Sequence, residues 1–131
     1  MRYFLSLVAL CAVSLTASTS AHHSHGNYSD EFTDIEGVLT EVHFLVPHSW
    51  LYLEVMDADG QPQIWALEAT GRTGLEQVGI MRDYVQPGDA VKVRCHPVVD
   101  GSNGCLLGFL KAPDGSVTDW DGGSAPAPSD F

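Results

Sequence analysis

Basic residues are scarce in this chain: 131 residues include six Lys and Arg against 17 Asp and Glu, a formal net charge of −11. One of the six is Arg2, and the others, Arg72, Arg82, Lys92, Arg94 and Lys111, are scattered along the sequence. Such a surface repels nucleic acid and anionic membrane faces, and it favours cations or basic proteins as partners. Cysteine is scarce too, with three in all. Internal repeats are missing, and the one apolar run is too short to serve as a permanent bilayer anchor. No catalytic constellation stands out. His48 and Ser49 are neighbours in sequence, but adjacent strand residues point to opposite faces, so the imidazole is poorly placed as a base for the hydroxyl. A non-enzymatic protein is therefore expected.

What is present begins with an export signal over residues 1–21. Arg2 supplies the positive start, Phe4 to Leu15 the apolar core, and Thr19-Ser20-Ala21 the small residues of a cleavage site. The mature protein is expected in the periplasm of a bacterium or secreted, without a transmembrane anchor. Cys11 lies within the apolar core, and Leu10 stands where a lipoprotein needs a small residue, so this cysteine is expected to leave with the signal. The remainder, about 110 residues, suits one small domain with a single core. In an oxidising compartment Cys95 and Cys105 are expected to pair, although a symmetric hairpin turning at Asp100-Gly101 would not place them directly opposite.

Along the mature chain, residues 22–34 read as a histidine-containing acidic arm, 35–113 as the folded domain and 114–131 as a flexible Gly, Pro, Ser and Asp-rich tail. Ile35 to Val46 suits a long strand with Val38, Val42, Phe44 and Val46 on one face and a bend at Gly37. Ser49 to Asp57 alternates more cleanly, with Leu51, Leu53 and Val55 opposite Trp50, Tyr52 and Glu54. Asp57 to Gly60 turns into a third strand, Gln63 to Ala69. A capping box at Thr73-Gly74-Leu75-Glu76 and a stop at Gly79 bracket a short helix. Strands at Ala90 to His96, with Val91, Val93 and Cys95 inside, and Cys105 to Lys111 complete the set. The order β-β-β-α-β-β predicts a mainly β fold, a five-stranded OB-like barrel with one short helix; a small open sheet or sandwich is the alternative.

The sharpest chemical signal is His22-His23-Ser24-His25, directly after the cleavage site. Cleavage after Ala21 would give His22 a free amine beside its imidazole, and nitrogen donors in a planar set suit copper(II), which tops the divalent affinity order. His22, His23, His25 and His48, on the bend made by Pro47-His48-Ser49-Trp50, form the candidate metal site, with copper the possible cofactor. A histidine-brace copper oxidase is the enzymatic variant, resting on His22 alone. The competing reading is an aromatic face of Trp50, Tyr52 and Trp65 that binds an envelope glycan or a protein, the histidines being incidental. His43 and His96 are expected to point away from the core. A calcium loop on Asp57, Asp59 and Glu68 is rejected, because Pro62 stands where glycine is required.

Several of these segments also occur together in a recognisable pattern: His22-His23-Ser24, Gly37-Val38-Leu39, Val42-His43-Phe44, Pro47-His48-Ser49-Trp50 and Asp57 to Gly60. They are followed by Trp65, Glu68, Leu75, Gly79, Arg82, Pro87-Gly88-Asp89 and Asp100-Gly101. From His22 to about Gly115 the chain resembles an uncharacterised family of small exported bacterial proteins, a domain of unknown function. The resemblance implies a periplasmic or secreted domain marked by the histidine start and the box around His48, and it supplies no activity. Val46 stands where that family often carries asparagine, and Cys95 and Cys105 look peculiar to this member.

Overall fold

The computed structural model describes residues 25–131. A 3₁₀ turn at His25–Asn27 is followed by strands β1 (Thr33–His43), β2 (His48–Met56) and β3 (Pro62–Thr70), helix α1 (Arg72–Gln77), and strands β4 (Ala90–Pro97), β5 (Gly104–Lys111) and β6 (Val117–Asp119). The sheet order is β3-β2-β1-β4-β5-β6, and β3 also pairs with β5 in parallel through Ala66↔Gly104, Leu67↔Cys105 and Glu68↔Leu106. That pairing closes five strands into the expected barrel and leaves β6 as an extra strand on β5.

The inner faces follow the alternation of β2 and β4: Leu51, Leu53, Val93 and Cys95 are fully buried, joined by Leu67 and Leu107. In β1 the expected face holds only in part. Val42 packs against the core and Phe44 is buried, but Val38 and Val46 are exposed, while Ile35 and Leu39 point inward. The register skips a residue between Leu39 and Glu41, and because side chains alternate with a period of two, one inserted residue exchanges the faces on either side of it. The break is thus at Thr40 and not at Gly37. Gly37 answers a different need, since a Cβ there would collide with the Glu54 carbonyl oxygen on β2.

α1 begins two residues earlier than the capping box implies. Gly71 is its N-cap and supplies no side-chain cap, so the Thr73 to Glu76 box does not form. Gly79, at φ +85°, ends the helical segment as expected, its N–H donating to Glu76 O at 3.1 Å. Cys95 and Cys105 form a disulfide across a Cα–Cα distance of 5.6 Å. They are diagonal and not opposed, Cys95 facing Leu107 and Cys105 facing Pro97 in the register set by the connection between β4 and β5.

The segment from 114 onward is more than a tail: it supplies β6 and then Trp120, a core residue only 1% exposed. The Trp120 backbone N–H donates to Gly108 O at 2.7 Å and its carbonyl accepts from Thr70 N at 3.0 Å, tying β5 to the end of β3. A polar, glycine-rich composition conceals this one large apolar side chain, whose burial outweighs its neighbours' preference for water.

Two outcomes follow from this framework. Gly71, at φ −63°, has an ordinary backbone, but a Cβ would strike the Pro47 carbonyl oxygen. Gly71→Ala should lower stability in urea unfolding by about 2 kcal/mol or more, whereas Gly26→Ala, with nothing near, should change it by less than about 0.5 kcal/mol. On the outer face, Asp34 accepts a bidentate pair from Arg94 at 2.7 and 3.0 Å, with Lys92 at 3.2 Å. The Arg94 hydrogen bond, aided by Lys92, holds its carboxyl at about 2, below the ordinary 3.8. A depressed folded-state value means stability that is present above about pH 4 and lost as pH falls towards 2. Acid titration of the unfolding midpoint should show that loss, and Asp34→Asn should flatten it while lowering stability at neutral pH.

Candidate functional site

The corner between β1 and β2 is pinned from behind. Arg72 N donates to Leu45 O at 2.7 Å, and Gly71 lies against Pro47, whose peptide bond with Val46 is cis. His48 therefore starts β2 at a fixed place, paired with Thr70, with its side chain 44% exposed. Its Nδ1 lies 2.8 Å from Glu68 Oε1, on the outer face of β3. Glu68 is 8% exposed, and its other oxygen accepts the Tyr28 hydroxyl at 2.5 Å.

A carboxylate only accepts hydrogen bonds, so Nδ1 of His48 is the donor in this pair, and in the neutral ring Nε2 keeps its lone pair. Both Glu68 oxygens are engaged, one by each side of the site. Burial, together with the hydrogen bond to Glu68 and its negative charge, pushes the Tyr28 hydroxyl well above its ordinary value, so it stays a donor throughout the physiological range. Tyr28 is itself held by backbone pairing: it bridges to Val98, Ser29 N donates to Pro97 O at 2.8 Å, and Val99 N donates to Asn27 O at 2.9 Å. The arm is thus laid along the end of β4 and anchored on Glu68.

Of the expected metal ligands, His22 and His23 lie outside the described residues. His25 opens the 3₁₀ turn three residues before Tyr28, and His48 is in the position just given. Among the described residues no group of three or more His, Cys, Asp and Glu side chains is placed to hold a metal ion.

The aromatic face is divided. Trp50 and Tyr52 share the outer surface with Glu68, Trp50 pairing with Glu68 on one side and His43 on the other. Trp65 instead pairs with the fully buried Leu53 and packs against the core, on the opposite side of the sheet. Both rows of β3, Gln63-Trp65-Leu67-Ala69 and Ile64-Ala66-Glu68-Thr70, are mixed in polarity, so alternation alone does not say which faces inward.

His43 is exposed as expected. Its Nε2 lies 2.6 Å from Glu41 Oε2, and its ring meets Tyr52 edge-on at 5.4 Å. His96 is outward on β4 but stacked on Phe32 at 4.0 Å, with Nδ1 enclosed and unpartnered among the described residues. The disulfide leaves it no neighbouring thiolate. Asp57 is a turn residue, its Oδ1 accepting from the N–H groups of Asp59 and Gln61 at 2.9 and 2.8 Å.

A family model described as a family of unknown function (DUF6152) matches residues 9–107. The chain belongs to that family. No curated protein matches it. The DUF6152 match takes in Tyr28, His48 and Glu68 and stops short of β6, Trp120 and everything after them.

Tyr28→Phe removes one donor from a buried carboxylate. It should cost about 1–2 kcal/mol in unfolding free energy. Amide exchange at Ser29 and Val99 should also accelerate, because the arm's pairing loses its anchor. Unchanged exchange would mean that the backbone bonds hold the arm unaided.

Proposed function

We propose that this DUF6152 domain is an exported, non-enzymatic binding module that captures a transition-metal ion, copper first, between the histidines of its N-terminal segment and His48. The observation that carries this reading is the Tyr28–Glu68–His48 chain of hydrogen bonds. Histidines that ligate metals commonly donate their second ring nitrogen to a carboxylate, which fixes the tautomer and raises the basicity of the ligating nitrogen. His48 has that arrangement at 2.8 Å, with its side chain 44% exposed.

The same chain brings the other donors within reach. Tyr28 docks on Glu68, and His22 stands six residues before it, so the distance from the anchor back to His22 is about 20 Å at most. The reading supposes cleavage of the export signal after Ala21 in the periplasm or outside the cell. His22 then offers an amine and an imidazole, His23 and His25 offer further rings, and nitrogen-rich sets of this kind favour copper(II). A net charge of −11 favours the approach of a cation.

Copper(II) titration of the processed protein should show one tight site. An extra residue ahead of His22 should weaken it by at least about tenfold by displacing the free amine, and His48→Ala should do the same. Glu68→Gln, which keeps the shape and loses the charge, should weaken it by about 10–100-fold. Equal affinity in the parent and His48→Ala would remove the barrel from the site and leave only a histidine-rich arm.

A further inference from the structure

We propose that the cationic cradle on β4 and β5 is a docking site for an acidic peptide segment carrying an aromatic residue, and that Asp130 and Phe131 of this chain occupy it in cis. The chain has five basic residues beyond its first 21, and three of them, Lys92, Arg94 and Lys111, meet at this one place. Lys92 and Lys111 are cross-strand partners, and Arg94 is two residues further along β4. Like charges placed opposite one another repel, so the grouping calls for an anionic occupant.

Asp34 supplies one negative charge, taking two bonds from Arg94 and one contact from Lys92. The other contacts come from the end of the chain. Arg94 Nη1 donates to Asp130 Oδ1 at 2.8 Å, and Lys111 Nζ donates to Phe131 O at 2.9 Å. The Phe131 ring lies 4.8 Å from Lys92 Nζ, 5.2 Å from the Arg94 guanidinium carbon and 5.4 Å from Lys111 Nζ, and 6.5 Å from the Phe109 ring. Three cations around one aromatic ring form a recognition geometry, because the ring's negative faces attract cations.

The seat also continues beyond its present occupant. From Lys92 and Lys111 a groove of about 550 Å³ runs between Val38 on β1 and Pro113 beyond β5. Glu36 and Gly37 of β1 also line it. A longer segment could lie there with its acidic and aromatic residues in the cradle. The chain's own residues fill the cationic end alone and reach it from Trp120 along a stretch without helix or strand.

A tethered segment competes at an effective concentration in the millimolar range, so a free peptide binds well only once the tail is released. The test uses the full chain carrying Asp130→Ala with Phe131→Ala, and a fluorescent, C-terminally amidated peptide copying residues 125–131. Anisotropy should report saturable binding to this variant that weakens with salt and is at least about tenfold stronger than binding to the parent. Lys111→Met in the same background should abolish it, as should replacing both Asp and Phe of the peptide by Ala. Should the double variant not fold, Phe131→Ala alone vacates the ring seat and keeps the Asp130 bond. Equal binding to parent and variant, or none to either, would overturn the proposal.

Discussion

A carboxylate held at 8% exposure on the outside of a barrel is the constraint around which this face is arranged. Glu68 cannot be withdrawn from water without partners, because an unpaired buried charge costs several kcal/mol, more than any one contact nearby could offset. It has two: Tyr28 on one oxygen and His48 on the other. Each is brought there by a separate part of the fold. His48 is delivered by the β1–β2 corner, whose backbone is gripped by residues 71 and 72, and Tyr28 by an arm that extends the edge of β4. Removing either partner leaves the carboxylate half satisfied, so the corner and the arm are energetically tied although they are remote in sequence.

Barrel closure places that carboxylate. Glu68 lies on the row His43↔Trp50↔Glu68↔Leu106↔His96, which crosses all five barrel strands in register. Because β3 and β5 are joined directly, Glu68 is an interior position of a closed sheet and not an edge residue. Its neighbours on both sides are side chains, which is how a residue on the outer face becomes buried. Trp120 reinforces the same seam, its backbone bridging Thr70 at the end of β3 to Gly108 on β5.

Much of the architecture was legible where alternation was uninterrupted. Leu51-Leu53-Val55 and Val91-Val93-Cys95 announced their faces, and the succession of turns marked the order of elements along the chain, from which the barrel was expected. β1 was half legible, because an inserted residue at Thr40 has no compositional mark and reverses the pattern before it. Trp120 was hidden by its surroundings. At the site, His48 was visible through the Pro47-His48-Ser49-Trp50 box. Glu68 stands out in the sequence as a rejected calcium ligand and as one position of the family pattern, with no role attached to it, and Tyr28 only as part of a polar arm. Forty positions separate those two residues, and their meeting depends on closure and on the Tyr28↔Val98 bridge, neither of which local periodicity encodes. The basic cradle was equally illegible, since Lys92, Arg94 and Lys111 look scattered until β4 and β5 are paired.

The bond between His48 and Glu68 gives the proposed metal site a property beyond affinity. A cation on Nε2 draws electron density from the ring and makes the Nδ1 proton more acidic, so its hydrogen bond to Glu68 strengthens. The same carboxylate fixes Tyr28, and Tyr28 carries the segment whose histidines would complete the coordination. On the proposed reading, metal capture and docking of the arm are then two descriptions of one equilibrium. By linkage, whatever the metal gains from an arm already seated on Glu68, the seated arm gains from the metal. An arm without Tyr28 could still chelate through its own nitrogens, but that chelation would no longer be tied to the barrel. The tyrosine, which is no ligand, is therefore the residue that would distinguish a site built by the fold from a chain end that merely binds metal.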